Sequence, residues 1–200
     1  MMRVAFPTRS ERLGYAAALA LTLLRLALAI PLAAIAVVQA SGRAVAIILA
    51  VGFVSDIYDG VIARHFGVAT PALRRLDSAV DTVFYLAGAA CVWRLHPATV
   101  TANRWLIGAV IGTLVVNHAV ELFKFGREAS YHAWSAKAWG ATLFVSLLLL
   151  FIAGDDLLVP VALAVGILSH VENFAITLVL HEWTHDVPSV FTALARRRAT

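Results

Sequence analysis

Two hundred residues, 61% of them hydrophobic and only 14% charged, with a mean hydropathy of +0.84, exclude an ordinary soluble domain. The net charge of +4 sits on basic residues near the ends of apolar stretches, with no basic patch interleaved with aromatics. That excludes a nucleic-acid binder and points to anionic lipid headgroups.

Six apolar stretches follow one another, and a membrane span needs about 20 residues. The first, Gly14 to Ala40, exceeds the ~7–15 residues of a signal-peptide core, so it is expected to remain as a spanning helix. It carries Thr22, Arg25 and Pro31. A charge as deep as Arg25 faces protein or a wet cavity, or it snorkels, and a phosphate is one partner it could take. Pro31 is expected to interrupt the helical hydrogen bonding. The second stretch, Val45 to Arg64, ends in Asp56, Asp59, Gly60, Ala63 and Arg64. A short turn with Gly67, Thr70 and Pro71 leads to the third, Asp77 to Arg94, which opens with Asp77 and Asp81. The single cysteine, Cys91, lies in this span, excludes an intrachain disulfide and reads as a small packing residue. Trp105 to Phe123, Ala138 to Ala153 and Leu158 to Leu180 complete the set. The expectation is an all-α, polytopic membrane bundle of six transmembrane helices, forming a single membrane domain over residues 1–200 with no room for a soluble one.

The sixteen Lys and Arg orient it. Arg3, Arg9, Arg12, Arg64, Arg74, Arg75, Lys124, Arg127, Lys137, Arg196, Arg197 and Arg198 fall on one side, twelve in all. Arg43, Arg94 and Arg104 fall on the other, and Arg25 lies within a span. Twelve against three argues for both termini in the cytoplasm, with the aspartates on the cytoplasmic side. Fourteen Arg against two Lys in an Ala-rich chain suggest a GC-rich bacterial genome, hence the bacterial inner membrane.

Asp56 and Asp59 are three apart, Asp77 and Asp81 four apart, so each pair shares a helix face. Four carboxylates brought together at a membrane boundary are prohibitive unless cations accompany them. Hard oxygen donors suit Mg²⁺ or Mn²⁺, and two such ions can clamp a pyrophosphate. Gly60 lets a ligand approach the backbone, Ala63 keeps the same face narrow, and Arg64 offers a permanently charged fork for phosphate oxygens.

The pattern D-x-x-D-G-x-x-A-R, twelve residues, D-x-x-x-D fixes seven positions: Asp56, Asp59, Gly60, Ala63, Arg64, Asp77 and Asp81. A chance match is roughly one in 10⁸–10⁹ per start position. The segment resembles the CDP-alcohol phosphotransferase family, integral membrane enzymes of phospholipid biosynthesis with a core of six spanning helices. The resemblance implies metal ligation by Asp56, Asp59 and Asp77. It implies that Asp81 completes the metal site and deprotonates the acceptor hydroxyl. Thr70 matches a small hydroxyl residue on the donor phosphates. Leu21 to Arg25, followed by Ile30 and Pro31, resembles the first span of phosphatidylglycerophosphate synthases, with Thr22 on the donor. The implied reaction transfers a phosphoalcohol group, in the first place phosphatidyl, from CDP-diacylglycerol or another CDP-alcohol to a polar alcohol and releases CMP. Similar enzymes are often homodimers, though the sequence itself carries no dimer signal. Two positions depart from the pattern. Leu73 replaces a glycine that lies against the cytidine in similar enzymes, and Leu19 replaces the Asn of an Asn-x-x-Thr element.

Other constellations compete. His181, Glu182 and His185 spell H-E-x-x-H, the signature of a zinc protease with both His on one helical face. Carboxylates in a bundle could instead line a cation pathway, although that would not require Gly60, Ala63 and Arg64. His170 and Glu172, within the last span, could pair with each other or with a buried cation. Lys124, Arg127 and Lys137 read as positive-inside charge or as an anionic-acceptor site, with Lys137 the foremost candidate. His65, His96, His118 and His132 lack ligand spacing and read as interfacial or satisfied polar residues.

Overall fold

A computed structural model describes residues 8–129, 131 and 133–199. Arg3 and His132 lie outside the described residues. These form eight α-helices and no strand: α1 (Arg9–Val38), α2 (Gly42–His65), α3 (Pro71–Leu95), α4 (Pro97–Ala102), α5 (Arg104–Phe125), α6 (Trp134–Ala153), α7 (Val159–Val179) and α8 (Val190–Ala199). Six of them, α1, α2, α3, α5, α6 and α7, are long and apolar enough to cross a membrane. Their burial pattern inverts that of a soluble protein. Ile30 is 72% exposed and Phe123 94%, while Thr22, Arg25, Asp59, Asn117 and Glu121 are buried. Apolar side chains therefore face outward, as a lipid solvent demands, and the polar ones find partners inside.

Two helix starts, those of α1 and α3, are set by side-chain caps. Thr8 caps α1 in a reciprocal box: its side chain accepts from the Glu11 N–H at 3.2 Å, and Glu11 accepts from the Thr8 N–H at 2.6 Å. The helix runs on through Pro31, so this proline does not end the span. Thr70 caps α3, accepting from the Leu73 N–H at 3.2 Å, with Pro71 in the first turn. α3 therefore begins six residues before Asp77, and its first two turns carry Arg74 and Arg75, which an apolar window discards. α6 likewise starts before Ala138, at Trp134. The short α4 and the basic α8 had no hydropathy signal.

The chain divides into two compact units after Pro97. In the first, α1 packs against both α2 and α3. Its buried face reads Gly14, Ala18, Thr22, Arg25, Ala29, Leu32 and Ala36, a stripe at steps of three and four. Small residues let the backbones approach, and the polar pair lies on the same stripe. α2 and α3 keep one antiparallel register. A side chain added at Gly52 would lie 2.2 Å from Phe84 Cζ, and one at Gly88 3.4 Å from Leu49. Cys91 is buried with its thiol directed at the Leu32 carbonyl at 3.1 Å, a packing role as expected.

In the second unit α7 packs against α5, α6 and α8. Its apolar core joins Tyr131, Ala133, Ile176, Leu180, Val187 and Ala193. The Tyr131 hydroxyl pairs with Thr177 at 2.9 Å, and burial raises that phenol above its ordinary pKa.

Candidate active site

Three helices of the first unit build one polar centre. α2 presents Asp56 and Asp59, α3 presents Asp77 and Asp81, and α1 sends Thr22 and Arg25 between them. Arg25 is 1% exposed and pairs with all four carboxylates. Its Nη1 donates to Asp56 Oδ1 at 2.6 Å and to Asp81 Oδ1. Its Nη2 donates to Asp59 Oδ2 and to Asp77 Oδ1. Each nitrogen thus joins one aspartate of α2 to one of α3. One turn away, Thr22 Oγ1 lies 3.2 Å from Asp59 Oδ2 and 3.2 Å from the Ala18 carbonyl. The Arg25 Nε–H is buried without a partner among the described residues.

The carboxylates differ in access. The Asp59 side chain is 7% exposed and forms the floor with Arg25, whereas Asp56, Asp77 and Asp81 are 33%, 35% and 25% exposed and form an open rim. Four carboxylates against one guanidinium leave a formal charge of −3. An oxygen from each of Asp56, Asp59 and Asp77 lies within 4.8 Å of the others. That separation brings the three oxygens near enough to converge on one divalent ion with a small inward adjustment. The oxygen donors, their convergence and the surplus negative charge fit a hard divalent cation.

The remaining motif residues are placed more variously. Arg64 is exposed, and its Nη1 lies 3.2 Å from where a Gly60 side chain would begin, so Gly60 leaves room for the folded arginine. Ala63 is buried with Ala18 and Leu73, and Leu19 packs against the same cluster. The two departures, Leu19 and Leu73, therefore share one apolar seam, and the Ala63 methyl lies inside it. Thr70 is exposed at the α3 cap.

Arg127 and Lys137 belong to the second unit. The Arg127 guanidinium lies 4.9 Å from the Trp183 ring, and Lys137 Nζ lies 4.3 Å from that of Trp134. Lys124 Nζ donates to the carbonyls of Thr177 at 2.7 Å and Leu178 at 3.0 Å, tying down the end of α7. His170 Nδ1 is 2.8 Å from Thr113 Oγ1, and Glu172 accepts from the Val190 N–H at 3.2 Å, so these two side chains have separate partners.

The zinc-protease reading does not survive the geometry. α7 ends at Val179, and His181 to His185 follow in irregular chain, with Trp183 Nε1 bonded to the Glu128 carbonyl at 3.0 Å. Those histidines do not share a helical face. Nor do the aspartates line an open path, since a guanidinium sits in their midst.

Sequence reasoning found the four aspartates and missed what joins them. Arg25, for which protein, a wet cavity and a phosphate all stand open as partners on sequence, faces the four carboxylates. The available signal was its place on the small-residue stripe of α1, which turns it toward the other two helices.

Comparison with known proteins adds one finding. The profile described as CDP-alcohol phosphatidyltransferase matches residues 15–181. No curated protein and no solved structure matches the chain.

Proposed function

Because this chain belongs to the CDP-alcohol phosphatidyltransferase family, we propose that it transfers a phosphatidyl group from CDP-diacylglycerol, or a related CDP-linked donor, to a polar alcohol and releases CMP. It is a transferase of substituted phosphate groups, with a CDP-alcohol donor and an alcohol acceptor as its substrates. Six apolar helices make it an integral membrane protein. The observation that carries the fuller reading is the convergence of four aspartates from α2 and α3 on one point.

Asp56, Asp59 and Asp77 would hold two Mg²⁺ or Mn²⁺ ions, with Asp81 completing the set. Ions bound there would neutralise the donor pyrophosphate and the charge that develops on it. Asp81 stands at the rim and takes the proton of the acceptor hydroxyl. The freed oxygen attacks the phosphorus distal to cytidine, the bond to the bridging oxygen breaks, and CMP leaves. Arg64 stabilises the departing phosphate, with Gly60 giving it room, and Thr22 and Thr70 contribute hydroxyls on the donor side. Ala63 serves this site indirectly, by keeping the helices close. Alignment of the reactants and fixed charge supply most of the acceleration. Arg127 and Lys137 are the candidates for an anionic acceptor. The distribution of basic residues supports a site facing the cytoplasm, and the Arg-rich, Ala-rich composition supports a bacterial inner membrane. A homodimer is in keeping with the family.

The test is reconstitution with CDP-diacylglycerol, a panel of polar alcohols and Mg²⁺ or Mn²⁺, with CMP release as the readout. CMP formation that needs both the metal and Asp81 is the expected result. No CMP from any CDP-alcohol, or release indifferent to Asp81→Asn, would overturn the reading.

A further inference from the structure

Arg25 is buried at the centre of a group that is read as a metal site, and it uses both terminal nitrogens there. Each nitrogen takes one oxygen from α2 and one from α3, so the guanidinium spans the gap that the carboxylates enclose. An ion bridging Asp56, Asp59 and Asp77 needs oxygens from this same inward-facing set. A guanidinium cannot vacate the position by losing its proton, because it stays protonated throughout the range in which a protein is folded. It can leave only by moving. Its seat is also incompletely satisfied, since the buried Nε–H has no partner among the described residues.

We propose that Arg25 is a resident counter-cation. It holds the four carboxylates together when no divalent ion is bound, and it gives them up as ions enter. The inference rests on the reading that these aspartates hold metal. The electrostatic reason is direct. Without Arg25 or an ion, four carboxylates would face one another in a poorly solvated site, and their repulsion would drive α2 and α3 apart. With Arg25 in place the bundle closes without metal, but every incoming ion must compete with charge-assisted bonds. The arginine therefore stabilises the metal-free fold and weakens metal binding.

The experiment measures Mn²⁺ binding to the full-length protein in nanodiscs, without substrate, for wild type, Arg25→Met and Arg25→Gln. Thermal unfolding is recorded in EDTA and in saturating Mn²⁺. Both variants should bind Mn²⁺ at least about tenfold more tightly than wild type. Both should melt below wild type in EDTA, with the gap narrowing in Mn²⁺. Variants recoverable only when Mn²⁺ is present support the proposal equally. Unchanged or weaker Mn²⁺ binding overturns it, as does an equal melting deficit with and without the ion, or failure to recover either variant in both conditions. Asp59→Asn separates this from failure of the functional reading. If Asp59→Asn binds Mn²⁺ as wild type does, the carboxylates are not the metal site and the functional reading falls with it. If Asp59→Asn loses Mn²⁺ while the Arg25 variants gain nothing, only the counter-cation proposal falls.

Discussion

The two units bury polar groups in opposite ways. In the second, several interior groups each meet one matched partner, while Trp139 Nε1, Ser146 Oγ and Asn173 Oδ1 are buried without one among the described residues. Asn117 donates to the His170 carbonyl at 2.9 Å, His170 pairs with Thr113, Tyr131 with Thr177, and Glu121 accepts from the Ala129 N–H at 3.0 Å. In the first, four carboxylates share a single guanidinium. Burial of polar atoms is common to both, so burial alone does not mark a site. The mark is charge that the chain itself leaves uncompensated.

That contrast can be broken experimentally, and the largest effect should come from the ions. Stripping divalent metal with EDTA should drop CMP release to background, and Mn²⁺ should restore it, while the melting of the second unit's helices, followed by hydrogen exchange, stays unchanged. Next comes Asp81→Asn. Loss of the base should cut turnover by about 10²–10⁴-fold, with Mn²⁺ still retained by Asp56, Asp59 and Asp77 in a binding titration. Gly52→Ala should follow. The added methyl would lie 2.2 Å from Phe84 Cζ, and overpacking of this kind costs about 1–3 kcal/mol. Turnover should fall along with thermal stability, because the same helices carry the aspartates. In the second unit Asn117→Ala should cost about 0.5–1.5 kcal/mol through loss of its bond to the His170 carbonyl, which keeps its backbone partner within α7. CMP release per folded molecule should nevertheless remain within about twofold of wild type. The smallest effect should come from Glu182→Ala, in the exposed segment after α7. It should change stability by no more than about 0.5 kcal/mol and leave CMP release intact. A large activity loss there would reverse the contrast.

The fold was legible where physics acts locally. Apolar runs located six spans, and the three- and four-residue spacings of the aspartates located the polar face of α2 and α3. Helix ends were less legible. Arg74, Arg75 and Lys137 lower the hydropathy of turns that are nonetheless helical; Thr70 caps the start of α3, whereas Ala133 gives α6 no side-chain cap. The H-E-x-x-H pattern misled because it carries no information on where α7 ends. Arg25 shows the deepest limit. Its residue type says that it needs anions, and the stripe of α1 says which way it faces. That all four aspartates become its partners depends on how three helices pack, which no spacing within one helix contains.

The notch at Gly52 has a bearing on how the centre is assembled. Leu49 meets Gly88, Gly52 meets Phe84, and Ala63 and Leu73 share one seam. Arg25 bridges Asp59 to Asp77 in the same alignment. A slip of one residue shifts a helix by about 1.5 Å and turns its side chains by about 100°. The hairpin therefore behaves as a vernier with a single matching mark. No half-aligned setting brings some carboxylates together and leaves others astray. Apolar contacts on either side of the charged layer thus give the chemistry its tolerance, and the aspartates need not find one another against their own repulsion.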